Sequence, residues 1–207
     1  MQPQSGRDIY TRPQNIDTNT LANLGPLRAL AGVWRGVDGV DVHPSAAGEG
    51  VNPFEETIEL QPIDPQTNGP QLFYGLRYVS HMTKPGEVGT YHGQVGYWLW
   101  EPATGLLVHS FTIPRGQVVL ATGQASADAK RFEVRADAEA IRSIGFLQSA
   151  FRTDSFTMTV TLEPDGAWSY FQDTVMQVEG RPGDFHHTDR NRLVRTAQAT
   201  PNPLVRG

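Results

Sequence analysis

The 207-residue chain contains no cysteine. That absence excludes disulfides, iron–sulfur clusters, thiolate metal sites and a thiol nucleophile. It is compatible with a reducing compartment. Long hydrophobic runs are missing too. No segment approaches the roughly 20 apolar residues of a spanning helix. The opening "MQPQSGRDIYTRPQNIDTNT" lacks the apolar core of a secretory signal. A soluble, cytoplasmic protein is the expectation. Net positive charge is absent as well: the formal charge is −5 and the pI about 5.6. Neither nucleic acid nor a membrane is therefore an expected partner.

Several catalytic signatures are also lacking. There is no G-x-S-x-G elbow, and no serine is tied to a base by spacing. "GQVVLATG" does not match a phosphate loop and opens no helix. No HxH or HxxxH cluster stands beside a carboxylate, so a zinc site would need histidines from three separate strands.

What is present is period-two patterning. Residues 1–20 are polar and proline-bearing and read as a flexible arm. "LANLGPLRALAG" spaces Leu21, Leu24, Leu27 and Leu30 as a helix would, but Gly25-Pro26 interrupts it. A short broken helix or 3₁₀ turns follow from that. From Val33 the alternation is that of strands. In "FEETIELQPI", Phe54, Glu56, Ile58 and Leu60 share a face, with Glu55 and Glu59 mostly outside. "EPATG" and "PDG" are hairpin connections. "EAIRSIGFLQSA" reads as a short helix. About ten strands with almost no helix, no propeller-type repeat and no internal linker suggest an all-β fold. The expected form is a single antiparallel up-and-down β-barrel over residues 21–196, with a tail over 197–207. Barrels of this size commonly enclose one small ligand. Trp34, on the first strand after the helical turns, is expected to plug the closed end.

Histidines are the candidate site residues. His92 shares a face with Gln94, Gly96, Trp98 and Trp100; His109 shares one with Leu107, Phe111 and Ile113. Either is a core histidine bonded to a neighbour or a polar anchor in a cavity. Their strands are joined by "EPATG", so both are expected in one pocket. His43 and His81 read as surface residues. The pair His186–His187 opens the last strand, "FHHTDRNRLVR", where neighbouring side chains point to opposite faces. Two arginines on the even face are cheaper to leave in water than to bury. That puts His187, Asp189, Asn191 and Leu193 inward and His186 outward, unless a bulge intervenes. An imidazole inside an apolar barrel is suited to a metal or a haem iron.

"LRALAGVWRGV", "FEETIEL", "YHGQVGYWLWEPATG", "VVLATGQA" and the final His…L-x-R strand, in that order, resemble the nitrobindin family of haem-binding β-barrels over residues 27–196. The resemblance implies ferric haem b held by one proximal histidine in an open pocket. It implies that nitric oxide binds there and that peroxynitrite is isomerised to nitrate, so an enzyme activity would be peroxynitrite isomerase-like. Carried over, the ligand falls on His187, with His186 the alternative. His92 matches the family's second, non-ligating pocket histidine, and His109 lies near a polar pocket position. The family spacing to the following leucine would fall on Thr188 rather than on either histidine. "DVHPSAAGEGVNPF" and "FTIPRG" are longer than their family counterparts. The alternative is a calycin-like carrier of a small hydrophobic ligand without haem, its histidines acting as polar anchors. A homodimer is left open.

Overall fold

The computed structural model describes residues 8–207. The first seven residues of the expected arm lie outside the described residues. A four-residue helix α1 (Thr20–Asn23) and a 3₁₀ segment (Gly25–Leu30) precede twelve strands. These are β1 (Gly32–Ser45), β2 (Gly48–Pro62), β3 (Gln66–Asn68), β4 (Gln71–Thr83), β5 (Thr90–Glu101) and β6 (Leu106–Ile113). They continue as β7 (Gln117–Gln124), β8 (Arg131–Asp137), β9 (Ile141–Ser143), β10 (Phe151–Leu162), β11 (Trp168–Val178) and β12 (Asp184–Ala197). Helix α2 (Gly145–Ala150) links β9 to β10, and α3 (Pro203–Arg206) ends the chain. No helix among the described residues is long and apolar enough to cross a membrane.

Ten strands close into an antiparallel barrel in the order β1-β2-β4-β5-β6-β7-β8-β10-β11-β12, with β12 pairing back onto β1. Strand β3 is a hairpin flap on β4, and β9 extends β7 beyond the short β7–β8 ladder. The stretch expected as one helix is therefore split. A 3₁₀ turn (Ala138–Ala140) comes first, then Ile141 is buried and its backbone pairs with Val119, so the α-helix is confined to Gly145–Ala150.

The alternation that organises the sequence is the alternation of burial. Phe54, Glu56, Ile58 and Leu60 all face inward from β2. One end of the barrel is a dense apolar plug. Gly25 breaks the leucine helix at φ +52, and a Cβ there would meet the Trp100 ring at 2.6 Å, so only glycine lets the turn approach. Leu24, Leu27 and Leu30 then lie on fully buried Trp34, whose indole N–H donates to the Leu30 carbonyl at 2.7 Å. Trp168 packs edge-on to Trp34 at 6.1 Å, and the Arg195 guanidinium stacks 4.1 Å from the Trp34 ring. Arg195 also donates to the carbonyls of Ala29 and Ala31, tying the turn to β12.

Both flanks of the barrel are anchored to it. Thr20 is buried; its N–H donates to Asn202 Oδ1 at 3.1 Å and its hydroxyl to the Ile63 carbonyl at 2.6 Å. Asn202 in turn donates to Thr18 O and Asp64 Oδ1.

Candidate functional site

At the end of the barrel opposite Trp34 a cavity of about 340 Å³ opens under α2. Phe111, Val119, Phe156 and Met176 form its apolar wall, and His92, Gln94, Arg115, Gln172, His187 and Asp189 bring polar atoms to it. This division suits a ligand that is mostly apolar and is oriented by a few polar contacts.

Strand β12 delivers its odd positions inward, without a bulge against β11 from Asp184 to Leu193. His187 thus lines the cavity. His186 is 60 % exposed on the outer wall, with Nδ1 2.8 Å from Asp173 Oδ2. The irregularity lies in β1 instead, between Gly36 and Gly39, where the pairing with β2 gains an extra residue. It switches the inward face from even positions (Trp34, Gly36) to odd ones (Gly39, Asp41). Asp41 is thereby buried beside His187: His187 Nε2 lies 2.8 Å from Asp41 Oδ1 and 3.7 Å from Asp189 Oδ2.

Asp41 is the hub of this corner. Its Oδ2 accepts a short bond from the Tyr91 hydroxyl, and His43 Nδ1 sits 3.0 Å away but out of alignment for a hydrogen bond. Burial alone would raise the Asp41 pKa. The bonds from His187 and Tyr91, with the charges of His187 and His43, outweigh it and hold the carboxyl below its ordinary range. For His187 burial pulls downward, but the Asp41 bond and the two carboxylate charges raise it overall. Asp189 is pushed up to about 6, chiefly by burial and then by the Asp41 charge, against His187 and a 2.6 Å bond from Gln172. Asp41, His187 and Asp189 offer one ligand atom each within 4.8 Å of one another.

A second polar chain runs up the wall. His109 Nε2 lies 2.9 Å from Tyr78 OH, Tyr78 OH 3.0 Å from the Gln94 amide, Gln94 3.2 Å from His92 Nε2, and His92 Nδ1 2.7 Å from Arg115 Nη2. Arginine only donates, so His92 Nδ1 accepts. Burial, then the charges of Arg115 and His187, pull His92 down to about 4, so the ring is neutral with its proton on Nε2. The Gln94 oxygen must then face His92, with its NH₂ donating to Tyr78; N and O of the amide exchange by a flip. Tyr78 donates to His109 Nε2. This leaves the His109 Nδ1–H buried without a partner.

His109 does not line the cavity, which corrects the expectation that His92 and His109 share one pocket. Its ring stacks on Trp98 at 3.9 Å and lies beneath Phe111, in the floor. Complete burial takes its pKa to about 3. Below the site, buried Glu56 accepts from Ser80 (2.7 Å), Tyr170 (2.9 Å) and Asn191 (3.3 Å), while burial raises its pKa. His43 is drawn into the Asp41 corner rather than left on the surface, and His81 bonds Thr90 on the exposed wall. Asp41, Tyr91 and Arg115 carried no signal in the sequence. The glycines flanking Val37-Asp38 were the only hint of the bulge that turns Asp41 inward.

A search of curated proteins finds no match. Among solved structures, the crystal structure of Rv2717c from M. tuberculosis superposes with a TM-score of 0.59 at 19% identity, covering 86% of this chain and 97% of that one. At that identity the likeness is one of fold. A family model, described as the THAP4-like, heme-binding beta-barrel domain, matches residues 23–195. It agrees with the nitrobindin resemblance of the sequence motifs. The chain belongs to the THAP4-like haem-binding β-barrel domain family.

Proposed function

We propose that the cavity holds a haem b group, that His187 would be its single protein ligand, and that its ferric iron would take nitric oxide or peroxynitrite. The observation that carries this reading is the setting of His187. One ring nitrogen, Nε2, is held by the buried Asp41 carboxylate. Metal-bound histidines are typically oriented in this way by a carboxylate on the second nitrogen. The remaining nitrogen, Nδ1, has no hydrogen-bond partner among the described residues and is the one left for a metal. The donor set and the apolar wall therefore fit the group. When bound, ferric haem supplies an iron that takes nitric oxide or converts peroxynitrite to nitrate.

The chain's own residues bind, orient and exclude water. Asp41 fixes the His187 ring. Phe111, Phe156, Val119 and Met176 offer the apolar faces a macrocycle needs. His92, neutral and hydrogen-bonded on both nitrogens, contributes polarity without ligation. His186 faces outward and has no route to the cavity.

A haem-free carrier of a small apolar ligand is the second reading. What favours it is that His187 already faces two carboxylates. Hemin titration separates the two. On the haem reading wild type develops a Soret band, His187→Ala loses it and His186→Ala keeps it. A Soret band unchanged in His187→Ala removes this residue as the ligand. No band in wild type leaves the carrier reading in place.

A further inference from the structure

Arg115 is the one arginine or lysine in the described cavity wall. It stands in the lengthened "FTIPRG" turn between β6 and β7. That turn is fixed by its backbone: Gly116 N–H donates to Ile113 O at 3.1 Å, and Ile144 N–H donates to Gly116 O at 3.0 Å, joining the turn to the start of α2. Gly116 has φ +83, the conformation that lets the turn close behind Arg115.

The Arg115 side chain has one polar partner among the described residues, His92 Nδ1. No carboxylate of the described residues lies within ion-pair distance of it. The acids nearest the cavity are already engaged: Asp41 with His187 and Tyr91, Asp189 with Gln172. A planar guanidinium has five N–H donors in a fork that matches a carboxylate. With one donor on His92, the rest of this exposed guanidinium, at the rim of the cavity, has no protein partner among the described residues. His92 can hold Arg115 only as a neutral acceptor. Its burial keeps it neutral, and it is in turn braced by Gln94 and Tyr78.

We propose that Arg115, aimed by His92, is the anchor for a ligand carboxylate at the mouth, with the ligand's apolar body against Phe111, Phe156, Val119 and Met176. Two sources offer that chemistry: a propionate of haem, and the head group of a free amphipathic carboxylic acid. The first rests on the haem reading, whereas the second does not. In both, a charge-assisted bidentate pair forms at the edge of an apolar slot, where it is stronger than in open water.

The test uses the full chain and four probes in matched pairs. Hemin and hemin dimethyl ester are titrated by Soret absorbance, and dodecanoate and dodecanol by calorimetry on apoprotein. Arg115→Gln is expected to weaken whichever acid binds by about tenfold or more while the uncharged partner binds as it does to wild type. The turn is exposed, so the variant's melting temperature should match wild type and report an intact fold. Wild type without a Soret band but with Arg115-dependent dodecanoate binding would sink the haem reading and leave the anchor standing. Hemin binding unaffected by Arg115→Gln, with dodecanoate equally indifferent or not bound, would overturn the anchor and leave the haem reading standing. Esters and alcohols binding as tightly as the acids would overturn it too.

Discussion

The two ends of the barrel treat polar groups in opposite ways. At the closed end the Trp34 indole and the Arg195 guanidinium end on the backbone, while the Trp168 indole N–H is buried with no partner among the described residues. Trp34 donates to Leu30, Arg195 donates to Ala29 and Ala31, and leucines fill the rest. At the mouth, side chains bind one another: Asp41 with His187 and Tyr91, His92 with Arg115 and Gln94, Asp189 with Gln172. Backbone partners are set by the fold and cannot be exchanged. Side-chain partners can yield to a ligand. The plug thus holds the barrel shut, and the mouth keeps titratable groups with shifted pKa values beside a cavity, the pattern expected of a functional site. The Glu56 network lies between the two ends, buried and bonded on all sides.

The sharpest way to break this contrast is to damage the plug. Trp34→Ala should cost about 3–5 kcal/mol from lost burial and the cavity left behind, read as a lower midpoint in denaturant unfolding. If Trp34→Ala melts like wild type, the plug is not what closes the fold.

His109 tests the boundary between floor and mouth. Its folded pKa is depressed to about 3, against an ordinary value of 6.5. Between those values the unfolded chain takes a proton that the folded chain refuses. Stability should therefore be full above pH 6.5 and decline as pH falls towards 3, by up to a few kcal/mol for this group. His109→Phe should flatten the acid limb of a stability–pH curve. An unchanged limb would show that His109 takes up its proton in the folded state.

At the mouth, Asp41→Asn removes the hub charge while keeping its shape. A cost of about 1–3 kcal/mol is expected from the unbalanced bonds of buried partners. NMR titration should show the His187 pKa falling, because its raised value depends on the Asp41 bond and charge. A His187 pKa that stays where it was would assign its elevation to Asp189 instead. The smallest effect belongs to the outer wall. Breaking the exposed His186–Asp173 pair with His186→Ala should change stability by no more than about 1 kcal/mol, so a larger loss would mean the outer wall carries a role the fold does not reveal.

Much of this was legible in the strand pattern. Inward Phe54-Glu56-Ile58-Leu60, inward His187 with outward His186, and Trp34 under a broken helix all follow from period two and from what water prefers to keep. These are local properties. Parity within one strand depends on neighbouring residues, and the cost of burying Arg190 or Arg192 depends on the residue alone. Depth along the barrel and encounters between strands are different in kind. His109 faces inward as its alternation requires, yet lies beneath the cavity because Phe111, two residues along β6, and Phe156, brought in by β10, pack against its ring. Asp41 meets His187 only because an irregularity in β1 reverses its parity, with 146 residues separating the two in sequence. Arg115 reaches His92 from a turn. The sequence by itself determined which face each strand side chain would seek, since hydration acts residue by residue. Only the closed barrel decided which of those side chains touch, because register and bulges are settled by all ten strands together.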